Sequence, residues 1–174
     1  MKVPGSRGFG FGLATLVLIV DQASKWWVIN EVMNPPRVIP VTPFFNLVMG
    51  WNRGISFGLM NQGSSLSAWI LPLVAVVIVA VLSVWLWRID RPVVAVAIGL
   101  IIGGALGNVV DRLRFGAVAD FLDFYAPGFH WPAFNVADAG ITVGAAMLVL
   151  ESLFARRERP KNRDGTSDMT DSGQ

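Results

Sequence analysis

The sequence predicts an α-helical integral membrane protein with four transmembrane helices and a small β-sheet outside the membrane. Three observations support this fold class. Of the 174 residues, 53% are hydrophobic and only 15% are charged, which is too apolar for an ordinary soluble domain of this length. The apolar residues concentrate in four stretches, each close to the roughly 20 residues that a helix needs to cross a bilayer. The Lys and Arg residues are divided unevenly between the segments that join these stretches.

The four predicted spans differ in the number of charges they contain. They are residues 9–30, 69–87, 93–110 and 134–154. The second and third spans have no charged residue, and the fourth has only Asp138 near its start and Glu151 near its end. The first is interrupted by Asp21 and Lys25. Ionisable residues at membrane depth are costly and usually functional.

The first span has an alternative interpretation as a cleaved signal peptide, because it lies at the N-terminus. No clear small-residue cleavage site follows the apolar run. Trp26 and Trp27 at its end are typical of an anchor at the membrane interface. We therefore interpret residues 9–30 as a retained helix.

The distribution of positive charges predicts the orientation of the helices. An even number of spans places both termini on one side, and that side carries nine of the 14 Lys and Arg residues. Because positive charges favour the cytoplasm, we expect both termini there. Polar residues from four separate segments then meet at the outer face of the membrane. These residues are Asp21, Asn52, Asn108, Asp111, Asp120, Asn135 and Asp138.

The cytoplasmic segments predict a simple organisation. Residues 88–92 form a short charged turn between two antiparallel helices. Residues 1–155 are expected to form a single membrane-embedded domain. The tail, residues 156–174, is charged and has no apolar periodicity, so we expect it to be disordered.

The two outer loops have different compositions. In the first, residues 38–41 and 44–48 are β-branched and aromatic runs beside prolines, which predict short strands of a small extracytoplasmic sheet. Residues 55–60 suit an amphipathic helix lying in the interface. The second outer loop, residues 115–131, is rich in aromatic side chains.

The residue types in the chain narrow its possible chemistry to carboxylates. The chain has no cysteine and one histidine, His130, which excludes thiol catalysis, a disulfide framework and HExxH metal sites. No GxSxG motif accompanies His130 to suggest a serine-histidine triad. Two carboxylates that share a proton can hydrolyse amides, and Asp120 and Asp138 lie beside apolar spans and near Asn-containing motifs. No metal or organic cofactor is implied, and the grouping of positive charges by membrane side argues against a nucleic-acid partner.

Two other function classes remain to be distinguished from an aspartic protease at the membrane edge. An ion-coupled carrier also uses membrane carboxylates, but near the midplane of several helices rather than at one face. A non-enzymatic membrane scaffold would tolerate Asp-to-Asn changes at both Asp120 and Asp138.

Each candidate residue also has a structural interpretation, in which it serves packing, a turn or a helix end rather than catalysis. These interpretations are a salt bridge between Asp21 and Lys25, a turn at Asn52-Arg53-Gly54, helix packing at Gly103, Gly104 and Gly107, an Asp111–Arg112 ion pair, a solvated acid at Asp123, aromatic packing at His130, and a helix N-terminal charge at Asp138. A helix N-terminal charge at Asp138 leaves the neighbouring Asp120 unexplained.

Four sequence blocks resemble those of the lipoprotein signal peptidases, the signal peptidase II family of bacterial aspartic membrane proteases. In chain order they are Asp21-Gln22-Ala23-Ser24-Lys25, similar to DQxxK; Asn52-Arg53-Gly54-Ile55-Ser56-Phe57-Gly58, similar to NxGxxFG; residues 103–121, similar to GGxxGNxxDRxxxGxVxDF; and Phe134-Asn135-Val136-Ala137-Asp138, similar to FNxAD. Each block lies beside the apolar segment expected of it, and together they cover the chain from the first helix to the fourth.

The resemblance implies a specific activity and a specific set of site residues. The family cleaves diacylglyceryl-modified prolipoproteins just before the lipidated cysteine, at the outer face of the bacterial inner membrane, and is inhibited by the lipopeptide globomycin. By the match, Asp120 and Asp138 are the catalytic dyad. The supporting and substrate-contacting positions are Asp21, Lys25, Asn52, Gly54, Gly104, Asn108, Asp111, Arg112 and Asn135. A monomer suffices, because one chain supplies both aspartates.

Overall fold

The computed structural model describes residues 5–54 and 65–157, which contain four long helices and four strands. The helices are α1 (Ser6–Trp27), which continues as a short π-helix over Val28–Val32, α2 (Ser65–Arg88), α3 (Pro92–Phe115) and α4 (Val136–Arg157). The strands are β1 (Ile39–Thr42), β2 (Phe45–Asn52), β3 (Val118–Ala126) and β4 (Phe129–His130). The expected interfacial helix at residues 55–60 and the tail beyond residue 157 lie outside the described residues.

All four predicted spans are confirmed as helices long and apolar enough to cross a membrane. The first three extend beyond their predicted bounds at both ends, whereas α4 begins two residues after its predicted start and ends three residues after its predicted end. In α3, Pro92 occupies the first helical turn, where the missing amide hydrogen costs nothing. Arg112 and Arg114 lie in the last turn, where positive charge is favourable, and Gly116 ends the helix with a φ of 70°.

Helix α3 is the central helix of the bundle, and small residues on two of its faces allow close packing. It is mostly buried, whereas most of α2 is exposed on the outside of the bundle. Gly99 faces the backbone of Gly10 in α1, and Gly104 faces the carbonyl of Ala137 in α4. Without side chains at these contacts the helix backbones approach closely, as is common between membrane helices. This geometry supports the packing interpretation of the glycine cluster.

Replacing Gly99 with alanine is expected to destabilise the bundle. The added Cβ would overlap the carbonyl oxygen of Gly10, so the two helices must separate at a cost of about 1–3 kcal/mol. Gly12→Ala is the matched control in α1, because its Cβ would have no neighbour within 4 Å. Thermal unfolding in detergent should show a lower Tm for Gly99→Ala and an equal or higher Tm for Gly12→Ala. Equal Tm values for the two variants would contradict this packing.

The strands outside the helical bundle form a four-stranded antiparallel sheet in the order β1-β2-β3-β4. The two strands predicted in the first outer loop are present as β1 and β2. The second outer loop, residues 115–131, also contributes two strands, which the sequence analysis did not predict. Acidic residues within β3 hide its strand character, because their burial depends on hydrogen bonds from other segments. Pairing of β2 with β3 places Gly50 opposite Asp120.

The interpretation of Asp123 as a solvated acid is wrong. Its side chain on β3 is buried, with 6% relative exposure. Asn46 Nδ2 on β2 donates to Asp123 Oδ2 over 3.1 Å, and His130 Nδ1 lies 3.0 Å from the same oxygen. The ring of His130 stacks on Tyr125 at 5.3 Å between centroids, so the expected aromatic packing is also present. Desolvation raises the pKa of Asp123, but the hydrogen bonds from Asn46 and His130 outweigh it, and the net pKa is below the usual value.

Asp123→Asn is expected to lower the stability of the fold at neutral pH by about 1 kcal/mol, because the charged acceptor for two donors is lost and one donor is exposed. Since the folded pKa is depressed, the contribution of wild-type Asp123 is fully present above its unfolded pKa of about 4 and is lost as the pH falls through the folded value. Unfolding in detergent between pH 7 and pH 3 should show a difference in Tm that narrows only below about pH 4. A difference that does not change with pH would argue against an ionised Asp123.

Candidate active site

Asp120 and Asp138 meet at the junction of the sheet with the outer end of the bundle. Asp120 lies on β3, and Asp138 lies in the first turn of α4. Asn135, which is fully buried, contacts both carboxylates. Its Nδ2 donates to Asp120 Oδ1 over 2.7 Å, and its backbone N–H donates to Asp138 Oδ2 over 3.3 Å. The structure therefore brings the two predicted aspartates into one site through a single asparagine.

Asn135 and Asp138 also form a reciprocal cap at the start of α4. The Asp138 backbone N–H donates to Asn135 Oδ1 over 2.9 Å, while the Asn135 N–H donates to the Asp138 carboxylate. This is the hydrogen-bond pattern of a capping box, and it satisfies amides that the helix leaves free. Asp138 thus does carry a helix N-terminal role, in addition to its position beside Asp120.

Asn108 of α3 holds Asp138 from the other side. Its Nδ2 donates to Asp138 Oδ1 over 2.8 Å, and its Oδ1 accepts a hydrogen bond from Lys25 Nζ over 3.2 Å. Asn135 Nδ2 lies 3.4 Å from the same Asn108 oxygen. Both oxygens of Asp138 therefore accept hydrogen bonds, and the amide of Asn108 has its orientation set by the lysine.

Asn52 contacts Asp120 from the end of β2, and Gly54 shapes the turn that follows it. The Gly54 N–H donates to Asn52 Oδ1 over 2.9 Å, and Gly54 has a φ of 90°, so the predicted turn is present. Asn52 also hydrogen-bonds the Asp120 carboxyl. Gly54 has the positive φ that favours glycine, while Asn52 reaches the site.

Burial raises the pKa of Asp120 to about 6. The hydrogen bond from Asn52 opposes this rise, the negative charge of Asp138 adds to it, and Asn135 and Lys25 oppose it. A carboxyl with such a pKa holds its proton at a pH at which an ordinary aspartate is ionised. A pair of this kind can present an acid and a base to the same bond.

Asp21, Lys25 and Asp111 form a buried ionic triad behind the dyad. Their relative exposures are 0%, 2% and 1%. Lys25 Nζ lies 2.9 Å from Asp21 Oδ2 and 2.9 Å from Asp111 Oδ2. The predicted Asp21–Lys25 salt bridge is confirmed, and both of its side chains are buried.

The triad contacts the backbone immediately before each aspartate of the dyad. The Ala137 N–H, one residue before Asp138, donates to Asp21 Oδ1 over 2.9 Å. The Ala119 N–H, one residue before Asp120, donates to Asp111 Oδ2 over 3.1 Å. The three charged side chains are too deeply buried to lie at a substrate-facing surface.

Gln22 belongs to this network and was not among the predicted site residues. Its Nε2 lies 2.9 Å from Asp111 Oδ1, 3.2 Å from Asp21 Oδ2 and 3.2 Å from the Gly107 carbonyl oxygen. The DQxxK block contained the signal, since Gln22 is its second letter. Residues three or four apart share one face of a helix, so spacing pairs Asp21 with Lys25 and does not indicate Gln22, which is adjacent to Asp21.

Arg112 is half-buried beside the dyad and is not the cation bonded to Asp111. Lys25 takes that place, so the predicted Asp111–Arg112 ion pair is corrected to a Lys25–Asp111 pair. Arg112 Nη1 lies 3.4 Å from the Asn108 carbonyl oxygen, and its buried Nε is without a hydrogen-bond partner in the described part of the chain. Gly104 acts by packing, since an added Cβ would overlap the Ala137 carbonyl next to the dyad. Over residues 5–54 and 65–157, no three His, Asp or Glu side chains are placed to hold a metal ion.

Comparison with known proteins identifies the family of the chain. The family described as Signal peptidase (SPase) II matches residues 13–154. The lipoprotein signal peptidase of Beijerinckia indica is 44% identical over 84% of this chain and 88% of its own length. That of Methylobacterium sp. strain 4-46 is 42% identical over 90% of this chain and 96% of its own length.

Solved structures share the fold. A bacterial membrane enzyme determined by the in meso method at 2.3 Å resolution has a TM-score of 0.75 and 27% sequence identity, over 88% of this chain and 93% of its own. A second bacterial membrane enzyme, at 1.9 Å resolution, has a TM-score of 0.74 and 29% identity over 84% of this chain and 93% of its own. The chain therefore belongs to the signal peptidase II family, the aspartic lipoprotein signal peptidases of the bacterial inner membrane, which remove signal peptides from prolipoproteins.

Proposed function

We propose that Asp120 and Asp138 are the catalytic dyad, and that they cleave diacylglyceryl-modified prolipoproteins immediately before the lipidated cysteine. The observation that carries this proposal is the bridging of both carboxylates by Asn135, with 2.7 Å from its Nδ2 to Asp120 and 3.3 Å from its N–H to Asp138. Two carboxylates held by one small side chain cannot both ionise cheaply, so one of them keeps its proton to a higher pH than an isolated aspartate does.

The proton belongs on Asp120 in this proposal. Burial and the charge of Asp138 keep the pKa of Asp120 near 6, so Asp120 is the acid that donates to the carbonyl oxygen of the scissile bond. Asp138 is the base that takes a proton from the attacking water. The tetrahedral intermediate then collapses, and the amine of the lipidated cysteine leaves with a proton returned by the dyad.

The substrate reaches the site from the outer leaflet. The distribution of Lys and Arg supports cytoplasmic termini and a dyad at the outer face. A diacylglyceryl anchor supplies affinity by burying methylene groups, at about 0.8 kcal/mol each, so the peptide requires only weak contacts around the scissile bond. Asn52 and Arg112 are candidate substrate-contacting residues, since they lie beside the dyad and are not deeply buried. Gly54 is a third candidate, because it is hydrogen-bonded to Asn52.

One copy of the chain is sufficient for this activity, because both aspartates and their supports come from residues 1–155. Globomycin-type lipopeptides are the expected inhibitors, as mimics of a trapped substrate. The charged tail, residues 156–174, contributes to membrane orientation and not to the reaction.

Asp120→Asn and Asp138→Asn are each expected to reduce kcat by at least about a thousandfold, because either change removes a proton donor or acceptor. The measurement is cleavage of a lipidated prolipoprotein by purified enzyme, with the unlipidated precursor as the substrate control. Only the lipidated form should be cut, and both variants should keep the wild-type Tm within a few degrees. Near-normal activity of either variant would remove that residue from the dyad.

We expect kcat/KM to fall on the alkaline side as Asp120 deprotonates, with an apparent pKa near 6. Because the hydrogen bond from Asn52 lowers the pKa of Asp120, Asn52→Ala should move this limb to higher pH. Asn46→Ala is the matched control, since Asn46 lies on the same strand and contacts Asp123 instead. A limb that stays in place in Asn52→Ala, or that moves equally in Asn46→Ala, would contradict the assignment of the acid to Asp120.

A further inference from the structure

We propose that the Asp21–Lys25–Asp111 triad is a positioning device that sets the separation of the two catalytic aspartates by holding the backbone N–H group just before each one. This inference rests on the proposed dyad of Asp120 and Asp138. It gives the three charged residues a role distinct from contact with the substrate.

The triad reaches both halves of the dyad by equivalent paths. From Lys25 one path runs through Asp21 to the Ala137 N–H and so to Asp138 at the start of α4. The other path runs through Asp111 to the Ala119 N–H and so to Asp120 on β3. Both ion pairs measure 2.9 Å, and the two backbone hydrogen bonds measure 2.9 and 3.1 Å. One ammonium group therefore links β3 to the start of α4 from behind the site, in addition to the direct contact that Asn135 makes between them.

A third path orients the hydrogen-bond donor to Asp138. Lys25 Nζ has only hydrogens to offer, so it selects the oxygen of the Asn108 amide, at 3.2 Å. The amide nitrogen of Asn108 then faces Asp138 Oδ1, at 2.8 Å. The lysine therefore determines which end of Asn108 meets the dyad.

Burial of the charged side chains of Asp21, Lys25 and Asp111 is not expected to stabilise the fold by itself. Desolvation of a buried ion pair often exceeds the attraction within it, and apolar residues of similar volume can replace such pairs without loss. Apolar side chains cannot accept the amide hydrogens of Ala119 and Ala137, however. The feature that only the carboxylates provide is their contact with the catalytic backbone, and a displacement of about 1 Å at reacting groups can cost about a hundredfold in rate.

The oxygens used by the two carboxylates differ, and this difference supplies the test. Asp21 uses Oδ2 for Lys25 and Oδ1 for the Ala137 N–H, so an asparagine at this position can satisfy only one of them. Asp111 uses Oδ2 for both Lys25 and the Ala119 N–H. An asparagine at position 111 keeps both contacts with its single oxygen and loses only the one from Gln22.

Asp21→Asn and Asp111→Asn are therefore matched variants, because each removes one negative charge from the same lysine. We expect kcat of Asp21→Asn to fall about a hundredfold and that of Asp111→Asn to fall less than tenfold, with KM within about twofold of wild type in both. The pH–rate profile of Asp21→Asn should also change shape, because the coupling of two carboxylates depends on their separation. Glu151→Gln is the control for a lost ion pair between α3 and α4, since it breaks the contact with Arg91 and should leave kcat and the profile unchanged.

Equal losses of kcat in Asp21→Asn and Asp111→Asn would indicate a purely electrostatic role and overturn the proposal. A lower Tm of Asp21→Asn with a wild-type kcat and pH profile would indicate a purely structural role and overturn it as well. If Asp21→Asn does not fold, the triple variant Asp21→Leu, Lys25→Met and Asp111→Leu decides. It removes all three paths without leaving a buried unpaired charge, and it must lower kcat by at least a hundredfold. Full activity of the folded triple variant would exclude the positioning role, and inactive Asp120→Asn and Asp138→Asn would still support the dyad. Near-normal activity of Asp120→Asn or Asp138→Asn would instead contradict the proposed function itself.

Discussion

The buried ammonium group of Lys25 is the interaction on which the outer half of the molecule depends. It lies where α1, α3, α4 and β3 converge, and its positive charge pairs with the buried carboxylates of Asp21 and Asp111. Each carboxylate in turn accepts an amide hydrogen from a neighbouring element. Removal of this one charge would leave two buried acids and a misoriented amide at the same point, so the junction of the helices and the sheet is organised around it.

The helices and strands around Lys25 have separate structural roles. Helix α3 packs closely on α1 and α4 because Gly99 and Gly104 leave room for neighbouring backbones. The strands β2 and β3 extend the bundle on its outer side and present Asp120 next to Gly50. The start of α4 is capped by Asn135, so the same residue ends a loop and joins the two carboxylates. The helical bundle thereby supports a site that lies at its edge, beside the sheet.

The site contains one carboxyl whose environment favours the protonated form. Burial raises the pKa of Asp120 to about 6, even though three polar partners act against the rise. A carboxylate costs more in this position than in water, and that cost is what keeps a proton available to an acid–base pair. Asp123, three residues along the same strand, shows the opposite outcome, because hydrogen bonds from Asn46 and His130 outweigh its desolvation. The difference between the two aspartates arises from their partners.

The sequence by itself determined the four spanning helices and the first two strands, and it singled out Asp120, Asp138 and their neighbours as candidates, because hydropathy and short motifs are local properties of the chain. It did not reveal β3 and β4, the burial of Asp123, the role of Gln22 or the true partner of Asp111. Each of these depends on contacts between residues far apart in sequence, such as Asn46 with Asp123 and Lys25 with Asp111. Only the tertiary structure decided these features, since a polar side chain is buried or exposed according to the partners that folding brings to it.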